Sequence, residues 1–212
     1  YTDSVKTLKK YSSKDNFGDK LYYDSTRINL GLIQNDINVL WDLAVHDLSI
    51  LNYLYKENPI SVPAVGHKHF SSKPITSAFM TLKYNSNFIA HINVSWLSPV
   101  KIRQTILAGS KKMIIYNDLE QKNKIVVHNK GVNVIKNANS SKNLVKYKIG
   151  GTNTPKLKNN EALSMAVQDF ITSINKKKQP LSNGKIALKI VQILESANRS
   201  MSQNGKPIKI NL

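Results

Sequence analysis

The apolar positions predict helices at both ends of the chain. From Val5 to Tyr11 apolar residues recur at three-residue steps, which is typical of one face of a helix, and Thr2 or Asp3 can cap its first turn. Two further apolar stripes at helical spacing predict helices over residues 163–174 and 186–201.

The middle of the chain alternates apolar and polar residues, which is the period of strands. Residues 20–30 are rich in aromatic and β-branched types, and residues 75–84 and 88–98 flank Asn85-Ser86-Asn87, a hairpin signal. Shorter strands are predicted at residues 101–108, 112–117, 124–128, 132–135 and 206–211. The polar residues 137–160 are predicted to form a loop. Together the elements predict an α+β fold, a large, mostly antiparallel, open-faced sheet with helices packed on one face.

The strand predicted at residues 88–98 separates two kinds of side chain. One face is apolar and carries Phe88, Ala90, Ile92, Val94 and Trp96. The other face is mixed, because it carries His91, Asn93 and Ser95 among apolar residues. We expect the apolar face to form the core. The mixed face either meets another subunit or is solvated, and assembly is the preferred interpretation.

Residues 41–51, WDLAVHDLSIL, carry the candidate chemistry. Asp42 and His46 are four residues apart, so a helix would place both on one face, with Ser49 and Tyr53 continuing it. An imidazole can exchange a proton at neutral pH, and a nearby carboxylate can orient it. The spacing alone, however, favours a simpler interpretation, in which Asp42 caps the helix and pairs with His46.

Composition narrows the classes of protein. With 212 residues and 41% hydrophobic content, the chain can form a real core, and it has no apolar run of the roughly 20 residues that a membrane helix needs. The lack of cysteine excludes disulfides and thiolate metal sites, and it fits a cytoplasmic protein. His67 and His69 have no third ligand nearby in sequence, so no metal site is predicted.

The formal net charge of +18 raises the question of a polyanionic partner. Only three of the 31 basic residues are arginines, namely Arg27, Arg103 and Arg199, although phosphate and base recognition favour the arginine fork. Because the lysines are spread over most of the chain, we expect neither a nucleic acid nor a membrane as partner.

Three stretches follow one another in an informative order. A strand with Arg27 precedes Asp-x-x-x-His at Asp42 and His46, WLSPVKIR follows at residues 96–103, and EALSMAVQDFITSI…IVQILESANRS…GKPIKI ends the chain. Over nearly all 212 residues, this order resembles the C-terminal domain of the glucose–fructose oxidoreductase / inositol dehydrogenase / rhizopine-catabolism (Gfo/Idh/MocA) family. The resemblance implies a hairpin at WLSPVKIR.

The resemblance also implies roles for individual residues. His46 matches the position that exchanges the proton of the substrate hydroxyl, and Asp42 matches a carboxylate that contacts substrate or orients the histidine. For substrate binding, Arg27 is the first candidate for an anionic group, although it could equally be a surface strand arginine. Asn38 and Trp41 adjoin the site in sequence, and Trp41 is as well suited to plug the core as to stack on a sugar. Lys101 and Arg103 are expected to line the sheet.

The family resemblance implies an NAD- or NADP-dependent oxidoreductase acting on a sugar or nucleotide sugar. Residues 1–212 would then form a single C-terminal domain for substrate binding and oligomerisation. The N-terminal Rossmann domain is expected to be missing, since the chain starts without methionine and no two glycines have the G-x-G spacing. No cofactor-binding residue is assigned, no cofactor is expected to bind this chain alone, and the chain alone is expected to be inactive.

The sequence is also compatible with two other functions. One is a non-catalytic oligomerisation or binding domain that assembles through the sheet. The other, less favoured, is a basic nucleic-acid-binding module, which would show salt-sensitive DNA binding.

Overall fold

The computed structural model describes residues 1–135, 144–158 and 160–212. Its helices are α1 (Asp3–Tyr11), α2 (Lys14–Phe17), α3 (Val45–Leu54), α4 (Ala162–Asn175) and α5 (Gly184–Ser202). A π-helical turn, Leu40–Ala44, leads directly into α3. Its strands are β1 (Lys20–Leu30), β2 (Ser61–Val62), β3 (Ala64–His67), β4 (Ser77–Lys83), β5 (Ile89–Ser95), β6 (Leu97–Gly109), β7 (Met113–Asn117), β8 (Ile125–His128), β9 (Gly131–Ile135), β10 (Leu144–Lys148), β11 (Thr152–Asn153) and β12 (Ile208–Lys209).

One large sheet dominates the fold. In the described part of the chain it has ten strands in the order β11-β8-β7-β6-β1-β5-β4-β2-β12, and β3 pairs with β4 beside β2. The pairing of β1 with β5 is parallel, whereas the other described pairings are antiparallel. Strands β9 and β10 form a separate hairpin. The prediction of an α+β fold with a large, mostly antiparallel open sheet is confirmed.

The core lies between one face of this sheet and the helices α1, α3 and α5. The apolar face of β5 and its neighbours contributes most of the sheet side, and all five residues assigned to it from the sequence are at most 3% exposed. On the helix side, Leu48 and Leu51 of α3 and Ile193 and Leu194 of α5 are buried. Alternation in β5 therefore places one set of side chains in the core, as predicted.

Several parts of the fold differ from the predictions. Residues 96–103 do not form a hairpin, because β5 and β6 both pair with β1 and the chain passes over the end of β1 at Trp96. The loop prediction for residues 137–160 is wrong where the structure describes strands β10 and β11, and residues 137–143 and 159 of that prediction lie outside the described residues. The short strands β2 and β3 were not predicted.

Among the described helices, none combines the length and the apolar character required to span a bilayer.

Candidate functional site

A cavity of about 370 Å³ opens on the helix-covered side of the sheet. Residues from α1 and α3, from the neighbouring strands β1, β6 and β7, and from the start of α5 line it. Its polar lining includes His46, Ser49, Asn52, Tyr53, Arg103 and Asp118. The volume is in the range of small-molecule sites, and polar groups from separate elements converge there, so the cavity is the natural candidate site.

His46 lies in the first turn of α3 and faces this cavity. Its side chain is exposed to the cavity, yet the protein packed around it lowers the pKa of the imidazole from its usual value. The positive charge of Arg27 lowers the pKa further, and the nearby Asp47 carboxylate opposes this effect. His46 is therefore mainly neutral at neutral pH, which is the form that can accept a proton.

Arg27 forms a buried ion pair with Asp47, the residue after His46. Its Nε donates to Asp47 Oδ2 at 2.7 Å, and its Nη2 donates to Oδ1 at 3.2 Å. The Tyr23 hydroxyl donates to the backbone carbonyl of Asp47 at 3.3 Å. Arg27 also lines the cavity, but Asp47 occupies much of its guanidinium fork. These contacts join β1 to the start of α3 and thereby fix the place of His46.

Asp42 is not among the described residues that line the cavity. Its Oδ2 accepts a hydrogen bond from Trp96 Nε1 at 2.7 Å, and Trp96 is 1% exposed. It does not cap the helix, since no side-chain capping bond is present at the start of the π-helical turn or of α3. The π-helical turn contains Asp42 and ends two residues before His46, so the four-residue spacing does not align them as in a regular α-helix.

Asn38 and Trp41 also lie outside the described cavity lining. The side-chain oxygen Oδ1 of Asn38 accepts from the Leu40 backbone N–H at 3.0 Å, and its Nδ2 donates to Asn198 Oδ1 of α5 at 2.6 Å. Trp41 is partly buried and packs against the core. The structure thus brings Arg27 and His46 together at one cavity, while Asp42, Asn38 and Trp41 support the segment that leads into α3.

Sequence reasoning missed Asp47, Asp118 and Lys56 near this site, and it favoured the sheet for Arg103. Arg103 of β6 is the direct partner of Arg27 in the antiparallel ladder, so both side chains project from the same face. A signal was available in the sequence. In each strand, the arginine lies an even number of residues from core residues, so the alternation of side chains places it on the same face as them. The pairing of β1 with β6, which brings the two arginines next to each other, could not be predicted from one sequence.

The described residues contain no group of three or more His, Asp or Glu side chains arranged to hold a metal ion. The rings of His67 and His69 are in edge contact, with centroids 4.9 Å apart, and His69 Nδ1 lies 2.8 Å from Thr76 Oγ1.

Comparison with known families bears on the same region. A family model described as the GFO/IDH/MocA C-terminal domain matches residues 26–115. This part of the chain is therefore similar to a GFO/IDH/MocA C-terminal domain. The match includes Arg27, His46, Asp47 and Arg103, and eight of the seventeen residues that line the cavity lie within it. No curated protein matches the chain in sequence.

Three solved structures have a similar fold. UDP-N-acetylglucosamine 3-dehydrogenase GnnA from Acidithiobacillus ferrooxidans is 18% identical, with a TM-score of 0.72, over 94% of this chain and 60% of its own. Aldose-aldose oxidoreductase from Caulobacter crescentus, complexed with glycerol, is 14% identical, with a TM-score of 0.72, over 98% and 59%. An oxidoreductase from Agrobacterium radiobacter, in complex with NAD+, L-tartaric acid and magnesium, is 12% identical, with a TM-score of 0.70, over 98% and 62%.

These structural similarities concern the fold and not the activity. At such identities they show a shared fold, and the chain spans about three fifths of the length of each of these structures. The chain is thus similar in fold to part of each oxidoreductase.

Proposed function

We propose that this chain is a GFO/IDH/MocA C-terminal domain and that it forms the substrate-binding and catalytic-base part of an oxidoreductase that acts on a sugar or nucleotide sugar with NAD or NADP. The observation that carries the proposal is His46, an exposed imidazole with a lowered pKa at the wall of a cavity of about 370 Å³. The names of GnnA and of the aldose-aldose oxidoreductase support a sugar substrate, and the Agrobacterium structure supports NAD.

His46 has the properties required for the proton half of an alcohol oxidation. Converting a CH–OH group to a carbonyl removes a hydride from carbon and a proton from oxygen. A neutral imidazole beside the hydroxyl accepts that proton, and the same imidazolium returns it in the reverse reaction. Since the protein packed around the imidazole partly desolvates it and lowers its pKa, more of His46 is in the accepting form at neutral pH.

The other polar residues of the cavity suit a sugar. Ser49, Asn52 and Tyr53 lie along the same side of α3 as His46 and carry hydroxyl or amide groups that can donate and accept hydrogen bonds. A sugar hydroxyl needs such partners, because burying it without them is costly. The proposed pose therefore places a hydroxyl-bearing carbon beside His46 and the remaining hydroxyls along α3.

The residues of this chain do not fit a nicotinamide dinucleotide. No two of the nine glycines have the G-x-G spacing that cradles a pyrophosphate, and residues 20–30 lead from a strand into a non-helical loop. We therefore assign this chain the sugar and the proton, and we assign the hydride acceptor to a Rossmann domain outside these 212 residues. The 212 residues by themselves are then expected to show no dehydrogenase turnover.

The test is the turnover of His46→Ala in an oxidoreductase that joins this domain to its cofactor domain. Loss of the proton acceptor should lower kcat by roughly 10² to 10⁴, the usual range for general acid–base catalysis. Turnover is followed by NADH or NADPH absorbance with a panel of sugars and nucleotide sugars. His67→Ala removes an exposed histidine of β3 outside the cavity and should leave turnover unchanged. Equal turnover of the two variants would remove His46 from the mechanism.

A second role, assembly, is favoured by the other face of the sheet. There, Phe79, Ile89 and Tyr22 are between 39% and 45% exposed, and they lie around the hydrogen-bonded pair of His91 and Asp24. Residues opposite one another in the ladder share a face, so these side chains form one surface. We propose that this surface meets a second copy of the chain, and assembly would be compatible with catalysis on the helix-covered side.

A further inference from the structure

Two arginines stand side by side at the candidate site and differ in how their charge is balanced. Arg27 of β1 and Arg103 of β6 are direct partners across the antiparallel ladder, and both line the cavity. Like charges opposite one another in a sheet are destabilising unless other groups neutralise them. The contacts of each guanidinium therefore indicate which of the two is available to a ligand.

Arg27 is already occupied. Two of its nitrogens donate to the two carboxylate oxygens of Asp47, and its side chain is 10% exposed. A bidentate pair of this kind uses the fork geometry that would otherwise bind a carboxylate or phosphate of the ligand.

Arg103 is available. The Asp118 carboxylate lies near it, but Asp118 Oδ2 is 3.9 Å from Arg103 Nη1, beyond hydrogen-bond distance. Asp118 is shared, because its Oδ1 accepts from the Tyr116 hydroxyl at 2.8 Å and lies 3.9 Å from Lys124 Nζ. Within the described part of the chain, Arg103 Nε is buried without a hydrogen-bond partner, while the side chain as a whole is 33% exposed.

The surrounding charge adds to this imbalance. Lys6 of α1 and Lys56, two residues after α3, also line the cavity. Among the cavity-lining residues that the structure describes, Asp118 is the one carboxylate. A cleft lined mainly by one sign of charge concentrates ligands of the opposite sign.

We propose that Arg103 is a specificity-determining residue that binds an anionic group of the substrate, a carboxylate or a phosphate, in the cavity that contains His46. This inference rests on the proposed function, because it takes a sugar derivative as the occupant of that cavity. The guanidinium fork of Arg103 matches either oxyanion in a bidentate arrangement, and Lys6 and Lys56 add attraction without directional preference. The preferred substrates are then acidic sugars or nucleotide sugars rather than neutral sugars.

The test is binding of matched probes to the 212-residue chain, measured by calorimetry. Glucuronate is compared with glucose, and UDP is compared with uridine, so that the first pair reports a carboxylate and the second a phosphate. The inference predicts that the anionic member of at least one pair binds about tenfold to a hundredfold more tightly, the range expected for a charge-assisted hydrogen-bonded pair. The pair that shows the preference identifies the source of the anion.

Two variants assign the preference to Arg103. Arg103→Gln should remove most of the preference for the anion, whereas Arg199→Gln, the same charge change on α5 outside the cavity, should keep it. Arg103→Lys keeps the charge without the fork and should retain only part of the preference. If Arg103→Gln fails to fold, as judged by circular dichroism, the lysine variant and the wild-type comparison still decide the question.

Three results would overturn the inference. They are equal binding of charged and neutral probes by the wild type, an equal loss in Arg103→Gln and Arg199→Gln, and absence of binding by all four probes. None of them depends on turnover. The kinetic test of His46→Ala therefore decides the proposed function separately, and a neutral sugar bound in the cavity would leave that function standing while removing Arg103 from it.

Discussion

Strand β1 carries a hydrogen-bonded pair of side chains on each of its two faces, and the two pairs show how differently the faces are used. On the helix-covered face, Arg27 and Asp47 are bonded through two hydrogen bonds, with side chains 10% and 2% exposed. On the open face, Asp24 Oδ2 and His91 Nδ1 are 3.3 Å apart, and the two side chains are 43% and 40% exposed. The buried pair connects a strand to the helix that carries His46, whereas the exposed pair lies between neighbouring strands that already pair through their backbones.

The comparison shows that the candidate site depends on the buried charge pair of Arg27 and Asp47, in which water cannot take the place of either partner. Removing one partner of a buried pair leaves an uncompensated charge, while an exposed pair loses little because solvent takes over. Three substitutions test this contrast, in order of decreasing expected effect.

The largest effect is expected for Asp47→Ala. It leaves Arg27 charged, buried and without its partner, so the free energy of unfolding should fall by about 3–5 kcal/mol. Asp24→Ala on the open face is the matched control and should cost no more than about 1 kcal/mol. Urea unfolding of the two variants measures both values. Similar losses in the two variants would contradict the distinction between the faces.

The sequence could predict much of this contrast but not the pair itself. Alternation in residues 88–98 correctly separated the buried face from the open face, because strand side chains alternate with a period of two. Asp47 was not predicted as a partner of Arg27, because they are 20 residues apart and meet only after α3 packs on β1. The displacement of Asp42 from the face of His46 arises from the π-helical turn, which helical spacing does not reveal.

An intermediate effect is expected for Asp42→Ala. The substitution leaves the buried indole N–H of Trp96 without its acceptor, which should cost about 1–3 kcal/mol of unfolding free energy. Asp36→Ala, in an exposed part of the loop before the π-helical turn, is the control with the same charge change. Thermal unfolding followed by circular dichroism compares them. If both variants unfold alike, the bond to Trp96 does not contribute to stability.

The smallest effect on stability is expected for Phe79→Ser on the open face. Phe79 is 45% exposed, so the substitution should change the free energy of unfolding by about 1 kcal/mol or less. Its effect should appear in assembly instead, as a shift towards the monomer in sedimentation velocity. Phe70→Ser, at 46% exposure in the loop after β3, should leave assembly unchanged. A wild-type chain that is monomeric at all concentrations tested would refute the assembly proposal.

The pH dependence of the site follows from the lowered pKa of His46. Below about pH 6.5, which is the usual pKa of histidine, the unfolded chain binds a proton at His46 more readily than the folded chain does. The contribution of His46 to stability is therefore lost as the pH falls below that value, and it is constant at higher pH. Because only the neutral imidazole accepts a proton, oxidation should decline with acidification at a pH lower than 6.5.

The most direct measurement is an NMR titration of the His46 imidazole with a panel of sugars and nucleotide sugars. The proposed function predicts a midpoint below 6.5 for the free chain and a displacement of the His46 resonances by at least one ligand of the panel. The four other histidines serve as internal references outside the cavity. If the ligands that bind shift the resonances of those reference histidines and leave the His46 resonances unchanged, the cavity is not the substrate site and His46 is not the catalytic base.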